Sequence, residues 1–188
     1  VATNFSQTNA KSLVVMDTTD GADDDIGHIF GTPVVDESNP QRNLQIARTN
    51  NGRWALITGN GYNSKNQRPV LLIQYLDGDK SLVKLSGVPV TDPAHEEAIK
   101  NGLSTPQFLD VNADGSPDFV YAGDLRGNMW KFDISGNSSS LWNVAFGGKP
   151  LFTAAAPSRQ PITTQPLLRP NRSIGGVMGG VGVGRTNT

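Results

Sequence analysis

Cysteine is absent from the 188 residues, which excludes a disulfide framework, a thiolate metal site and a cysteine nucleophile. Histidine occurs only at His28 and His95, in contexts that offer no nucleophile, so neither an imidazole-rich metal centre nor a Ser-His-Asp arrangement is supported. Charge is sparse at 18% and nearly balanced, with a formal net of −1. The 16 Lys and Arg residues are scattered without a basic run, so the electrostatic footprint of a nucleic-acid binder is missing. Long apolar runs are missing too. Val70-Leu-Leu-Ile73 is strand length, far short of the roughly 20 residues that span a bilayer as a helix. What the chain has instead is glycine, 21 residues, and proline, 12 residues, punctuating short β-branched stretches. That composition predicts an all-β protein with a sizeable core. The chain opens at Val1, as expected of a processed or excised piece.

The most informative stretch is Asp110-Val-Asn112-Ala-Asp114-Gly115-Ser116-Pro-Asp118. Side-chain oxygen donors stand at positions 1, 3, 5 and 9 of this loop, with glycine at 6, as in the front half of an EF-hand. Ca²⁺ takes six to eight hard oxygens. One short loop gathers them only by winding around the ion, and Gly115 allows that winding. Ser116 falls where a peptide carbonyl binds. The candidate ligands are therefore Asp110, Asn112, Asp114, the carbonyl of Ser116, and Asp118. Two departures matter. Position 12 is Tyr121 rather than Glu, and the flanks read as strands, which leaves Asp118 to close the shell. The alternative is an ion-free, Asx-rich hairpin turn. A calcium site suits a bacterial extracellular or periplasmic setting, where free Ca²⁺ is high.

Along the chain, alternation and turn signals predict strands at Lys11–Met16, Ile26–Val35, Trp54–Thr58, Pro69–Leu76, Ser81–Leu85, Phe119–Ala122 and up to Asp133. Shorter strands are expected at Trp142–Phe146, Pro150–Thr153, Ile162–Leu168 and Gly176–Gly184, the last as a close-packed inner strand. Residues 36–50 read as a polar loop and Ser135–Ser140 as a flexible linker. Asp92–Gly102 reads as one short helix, on which His95, Glu96 and Glu97 form a solvated face. The run Asp17–Asp25 carries five carboxylates without the every-second-residue rhythm, and is expected to be a solvated acidic loop rather than a second ion site. Trp54, Trp130 and Trp142 are expected in a core between sheets. Asp124, in Gly-Asp-Leu-Arg-Gly-Asn, reads as a turn residue rather than a base.

Three segments share one arrangement. Gly31-Thr-Pro-Val-Val35, Ser104-Thr-Pro-Gln-Phe108 and Thr163-Thr-Gln-Pro-Leu167 each open a strand, with a loop and a glycine-ended strand behind. Repeated four-stranded units of this kind point to a β-propeller, and about three such units across residues 1–188 would form an arc of a larger ring.

The segment Asn101–Asp133, with its acidic loop followed by Ala-Gly-Asp-Leu-x-Gly-Asn-hydrophobic-Trp, resembles the C-terminal β-propeller of the PilC/PilY family of type IV pilus proteins. Trp54–Ser64, Asp25-Ile-Gly27 and Arg159–Thr163 extend the resemblance over most of the chain. The resemblance implies a seven-bladed propeller, of which residues 1–188 would be part, with Ca²⁺ in one blade loop. It implies control of pilus extension against retraction, and adhesion to host cells. Pilin or minor pilins and a host-cell receptor would be the partners, at the bacterial surface, outer membrane or pilus tip. The family's ligand positions carry over to Asp110, Asn112, Asp114, the Ser116 carbonyl and Asp118. Two further readings stand beside it. One is a calcium-stabilised scaffold. The other is a PQQ-dependent quinoprotein dehydrogenase; against it, such an enzyme needs a catalytic Asp beside the quinone and many also use a disulfide, which a chain without Cys cannot form, and no enzyme is expected.

Overall fold

The computed structural model describes residues 23–36, 43–90, 100–155, 160–170 and 176–182. The expected strand at 11–16, the short helix at 92–102 with its His95 cluster, and the acidic residues Asp17 and Asp20 lie outside these or largely so.

Among the described residues every strand pairing is antiparallel, and the helical pieces are short turns at Ser139–Leu141 and Ala145–Gly148. The first sheet runs β1 (Ile46–Arg48), β2 (Trp54–Gly59), β3 (Leu71–Tyr75), β4 (Leu82–Leu85), in that spatial order. The second runs β5 (Gln107–Leu109), β6 (Phe119–Gly123), β7 (Asn128–Asp133), β8 (Asn143–Val144), and β9 (Phe152–Thr153) joins β8 along β7. A third, two-stranded sheet pairs β10 (Leu167–Pro170) with β11 (Val177–Gly180). Within the first two sheets the successive strands β1 to β4 and β5 to β8 pair with their sequence neighbours, the short-range solution for alternating strands separated by Asn, Asp and Gly, while β9 returns to β7.

Period-two alternation builds the core. In β2, Ala55 and Ile57 point inward; in β3, Leu71, Ile73 and Tyr75 do so. In the second sheet the inward set is Val120, Ala122, Trp130 and Phe132. These two inner faces, with Leu103, Ile134, Trp142 and Val144, form one apolar cluster. The two sheets are therefore packed face to face, as strands with one buried face require.

Trp130 and Trp142 lie in this core, as expected. Trp54 does not: it stands on the opposite face of β2, 52% exposed, because the alternation that sends Ala55 and Ile57 inward sends Trp54 outward. Residues 26–35 form no continuous strand, only isolated bridges at His28–Tyr62 and Val35–Asn43. Gly31 at φ 126° and Pro33 interrupt it. The expected loop 36–50 contains β1, which hydrogen-bonds to β2. The serine-rich stretch is an ordered turn. Ser138 caps the 3-10 turn Ser139–Leu141, and the Trp142 indole donates to the Gly136 carbonyl at 2.7 Å. The glycine-rich segment supplies β11, whose partner is β10.

The three proline-marked segments converge. A cleft of about 600 Å³ is lined by Gly31, Thr32 and Pro33 from the first, Ser104 and Thr105 from the second, and Thr163 from the third. Gln165 donates to the Pro106 carbonyl at 3.1 Å, tying the third to the second. Close approach of backbones there demands glycine: a Cβ at Gly59 would run into the carbonyl oxygens of Ser104 and Leu103.

Candidate metal loop and its neighbouring clamps

The acidic loop is the connection of the β5–β6 hairpin. Leu109 pairs with Phe119 at its base, and the Asp118 N–H donates to the Leu109 carbonyl at 2.9 Å. The strand flanks read from the sequence are thus where the structure places them. Within the loop each acidic side chain first folds back on a backbone N–H. Asp110 Oδ2 accepts from Gly115 at 2.7 Å, Asn112 Oδ1 from Asp114 at 3.0 Å, Asp114 Oδ1 from Ser116 at 2.8 Å, and Asp118 Oδ2 from Val111 at 2.8 Å. Ala113 and Gly115 take positive φ, 60° and 89°, and these wind the chain.

One atom is left over. Asp110 Oδ1 is buried and has no hydrogen-bond partner, an arrangement that is costly for a carboxylate oxygen. The donor set is all hard oxygen, and this orphaned oxygen belongs to loop position 1, so the residues present fit a Ca²⁺ ion. Among the described residues no three His, Cys, Asp or Glu side chains close into a metal cluster; a shell here would draw on Asn112 and the Ser116 carbonyl as well as the carboxylates. Tyr121 lies in β6 beyond the loop, its phenol pushed above the usual value by burial.

The loop's C-terminal end is gripped from the first sheet, a feature that the local spacing does not announce. Asn50, in the β1–β2 turn, donates through Nδ2 to the Pro117 carbonyl at 3.0 Å and to the Ile134 carbonyl at 3.1 Å. Ile134 in turn donates its N–H to the Asp118 carbonyl at 2.9 Å.

Two further carboxylates are structural. Asp124 is fully buried and accepts from five donors. The Arg126 and Asn128 N–H groups reach Oδ1, while the Asn101 and Asn128 amides and the Trp130 indole reach Oδ2, all within 2.8–3.0 Å. It is a turn residue, as its motif suggested, and also a hub.

Asp25 departs from the expected solvated loop. It is buried and held by Arg68 through two 2.7 Å bonds, with Asn66 and Lys84 each at 2.9 Å. The Arg68 hydrogen bonds, opposed by burial and reinforced by Asn66 and Lys84, hold its carboxyl well below the usual carboxylate range. Lys84 also binds Asp23, and Lys65 binds Asp24. Among the described residues of this run, Asp23, Asp24 and Asp25 each pair with a lysine or arginine. His28 is exposed and packs edge-on against Phe30.

Comparison with known proteins agrees with the architecture. Residues 21–186 match the family model of the PilY1 beta-propeller domain. The type IV pilus biogenesis factor PilY1 of Pseudomonas aeruginosa (strain UCBPP-PA14) is 37% identical, with 87% of this chain and 14% of that protein covered. A PilY1 homolog of Xylella fastidiosa is 38% identical, covering 75% of this chain and 10% of its own length. The crystal structure of the P. aeruginosa PilY1 C-terminal domain superposes with a TM-score of 0.64 at 31% identity, covering 86% of this chain and 33% of that one. The chain therefore spans about one seventh or less of these curated relatives, which are described as pilus biogenesis factors and not as enzymes. On this evidence the chain belongs to the PilY1 beta-propeller family.

Proposed function

We propose that this chain is the calcium-binding part of a type IV pilus-associated propeller, and that Ca²⁺ bound by Asp110, Asn112, Asp114, the Ser116 carbonyl and Asp118 orders the β5–β6 hairpin. The observation that carries the reading is the buried, unpartnered Asp110 Oδ1 in a loop of hard-oxygen donors. Ca²⁺ would supply positive charge there and offset the mutual repulsion of three carboxylates. The Asn112 amide and Ser116 carbonyl complete the donor set without adding charge.

In the whole protein, this part supports pilus biogenesis, the balance of extension and retraction, and adhesion to host cells. Its partners are pilin or minor pilins and a surface receptor, and its place is the cell surface, outer membrane or pilus tip. The relatives described as biogenesis factors support this reading, and they do not support the quinoprotein alternative. A scaffold role for the ion has its own support, because Asn50 and Ile134 anchor the loop to its surroundings.

Calorimetric titration with Ca²⁺ and a count of surface pili, on wild type and on Asp114→Ala, test the proposal. Loss of binding with loss of piliation is expected. Unchanged affinity and unchanged piliation would sink it. Loss of binding and of thermal stability with piliation intact would leave the scaffold role.

A further inference from the structure

Resting on the calcium reading above, we infer that Asn50 is a positioning residue that couples ion binding in the β5–β6 loop to the docking of the first sheet on the second. The two donors at the end of the loop, the Ser116 carbonyl and Asp118, flank Pro117. Asn50 holds the Pro117 carbonyl directly at 3.0 Å. The same amide nitrogen holds Ile134 at 3.1 Å, and Ile134 holds the backbone of Asp118. One side chain on the first sheet thus fixes both ends of the Pro117–Asp118 step on the second.

Asn50 is itself held in place. Its turn is closed by Gly52 N–H to the Thr49 carbonyl at 2.8 Å, with Gly52 at φ 85°. Thr49 Oγ1 bonds Asn51 and the Arg53 carbonyl. Asn51 reaches the Tyr75 hydroxyl, and the Arg53 guanidinium lies 3.6 Å over the Tyr75 ring. Tyr75 packs on Trp142 in the core shared by the two sheets. A pre-set donor of this kind is already oriented when the loop closes. Linkage then makes the effect reciprocal: if sheet docking favours ion binding by some factor, ion binding favours docking by the same factor.

The test uses the full-length protein and two variants. Asn50→Ala removes the clamp, while Thr49→Val loosens the same turn without touching the loop. Calcium affinity by calorimetry and the calcium-dependent shift in melting temperature are measured for each. Two hydrogen bonds at roughly a factor of five each set the ceiling, so Asn50→Ala is expected to weaken Ca²⁺ binding about tenfold and to shrink the calcium-dependent thermal shift. Thr49→Val, which keeps both Asn50 bonds but loosens the turn that orients them, is expected to lower the melting temperature and to weaken Ca²⁺ binding much less than Asn50→Ala does.

Wild-type affinity in Asn50→Ala would overturn the coupling and leave the calcium site standing. So would an equal loss of affinity in Thr49→Val, since general loosening would then account for both. No binding by the wild type would overturn the calcium reading and the coupling with it. If Asn50→Ala does not fold, Asn50→Ser, which keeps one donor, is expected to show a smaller loss of affinity in the same direction; wild-type affinity there counts against the proposal.

Discussion

At the scale of single residues, the strongest polar commitment is Asp124. Five N–H donors converge on one fully buried carboxylate, so removing it orphans several buried groups at once. Asp124→Ala is expected to cost about 3–5 kcal/mol in chemical denaturation, since several buried N–H donors lose their acceptor at roughly 1–3 kcal/mol each. Asp124→Asn, of the same shape, is expected to cost less. A loss under about 1 kcal/mol for the alanine variant would contradict the role of hub. The motif Gly-Asp-Leu-Arg-Gly-Asn showed the turn itself. Asp124 is aligned with its own Arg126 and Asn128 by chain proximity, which spacing encodes. The Asn101 contact, 23 positions away, was invisible in the motif.

At the scale of elements, the hairpins are where sequence pattern and structure agree most closely. Trp54–Thr58, Pro69–Leu76, Ser81–Leu85 and Phe119–Asp133 all read as strands, and β2, β3, β4, β6 and β7 occupy them. Each has an alternating or uniformly apolar pattern bounded by turn residues, so local chemistry suffices. The exceptions have physical causes. β1 has three residues, too few to show a period, and exists because β2 offers it a ladder. The run from Ile26 to Val35 has the apolar content of a strand, but Gly31 and Pro33 break its ladder into two bridges. Backbone packing also constrains the element ends. Gly59 closes β2 against the carbonyl oxygens of Ser104 and Leu103, and these cannot swing aside as a side chain could. Gly59→Ala is expected to destabilise by about 1–3 kcal/mol through overpacking, read as a lower urea midpoint. Gly180→Ala, at a position with open space around it, is expected to show a much smaller change.

For the molecule as a whole, the Asp25 clamp ties the segment before the first sheet to Arg68 and Lys84 around it. The folded-state pKa of Asp25 lies below its ordinary value. The stability it contributes is therefore fully present above about pH 4, the unfolded carboxylate value, and is lost as pH falls from there through the depressed folded value. Asp25→Asn is expected to lower stability at neutral pH by roughly 2–3 kcal/mol, below the range for a fully buried pair because solvent screens Lys84. The variant is also expected to flatten the fall in stability below pH 4. Denaturation curves at pH 7, 4 and 3 check both. An unchanged acid limb would assign that fall to other carboxylates.

The sequence alone determined the all-β class, the main hairpins and the donor order of the acidic loop, because each depends on neighbouring stretches of chain, with paired residues such as Ala55 and Tyr75 at most 20 positions apart in the main hairpins. Only the tertiary structure decided three other matters. It sent Trp54 outward while Trp130 and Trp142 went into the shared core. It answered the acidic run at Asp25 with Arg68, 43 positions on. It brought Asn50 to the loop at Pro117, 67 positions away. Periodicity fixes which side of a strand a residue takes, but which sheet covers that side, and which distant side chain reaches a given carbonyl, follows from how the packed faces come together.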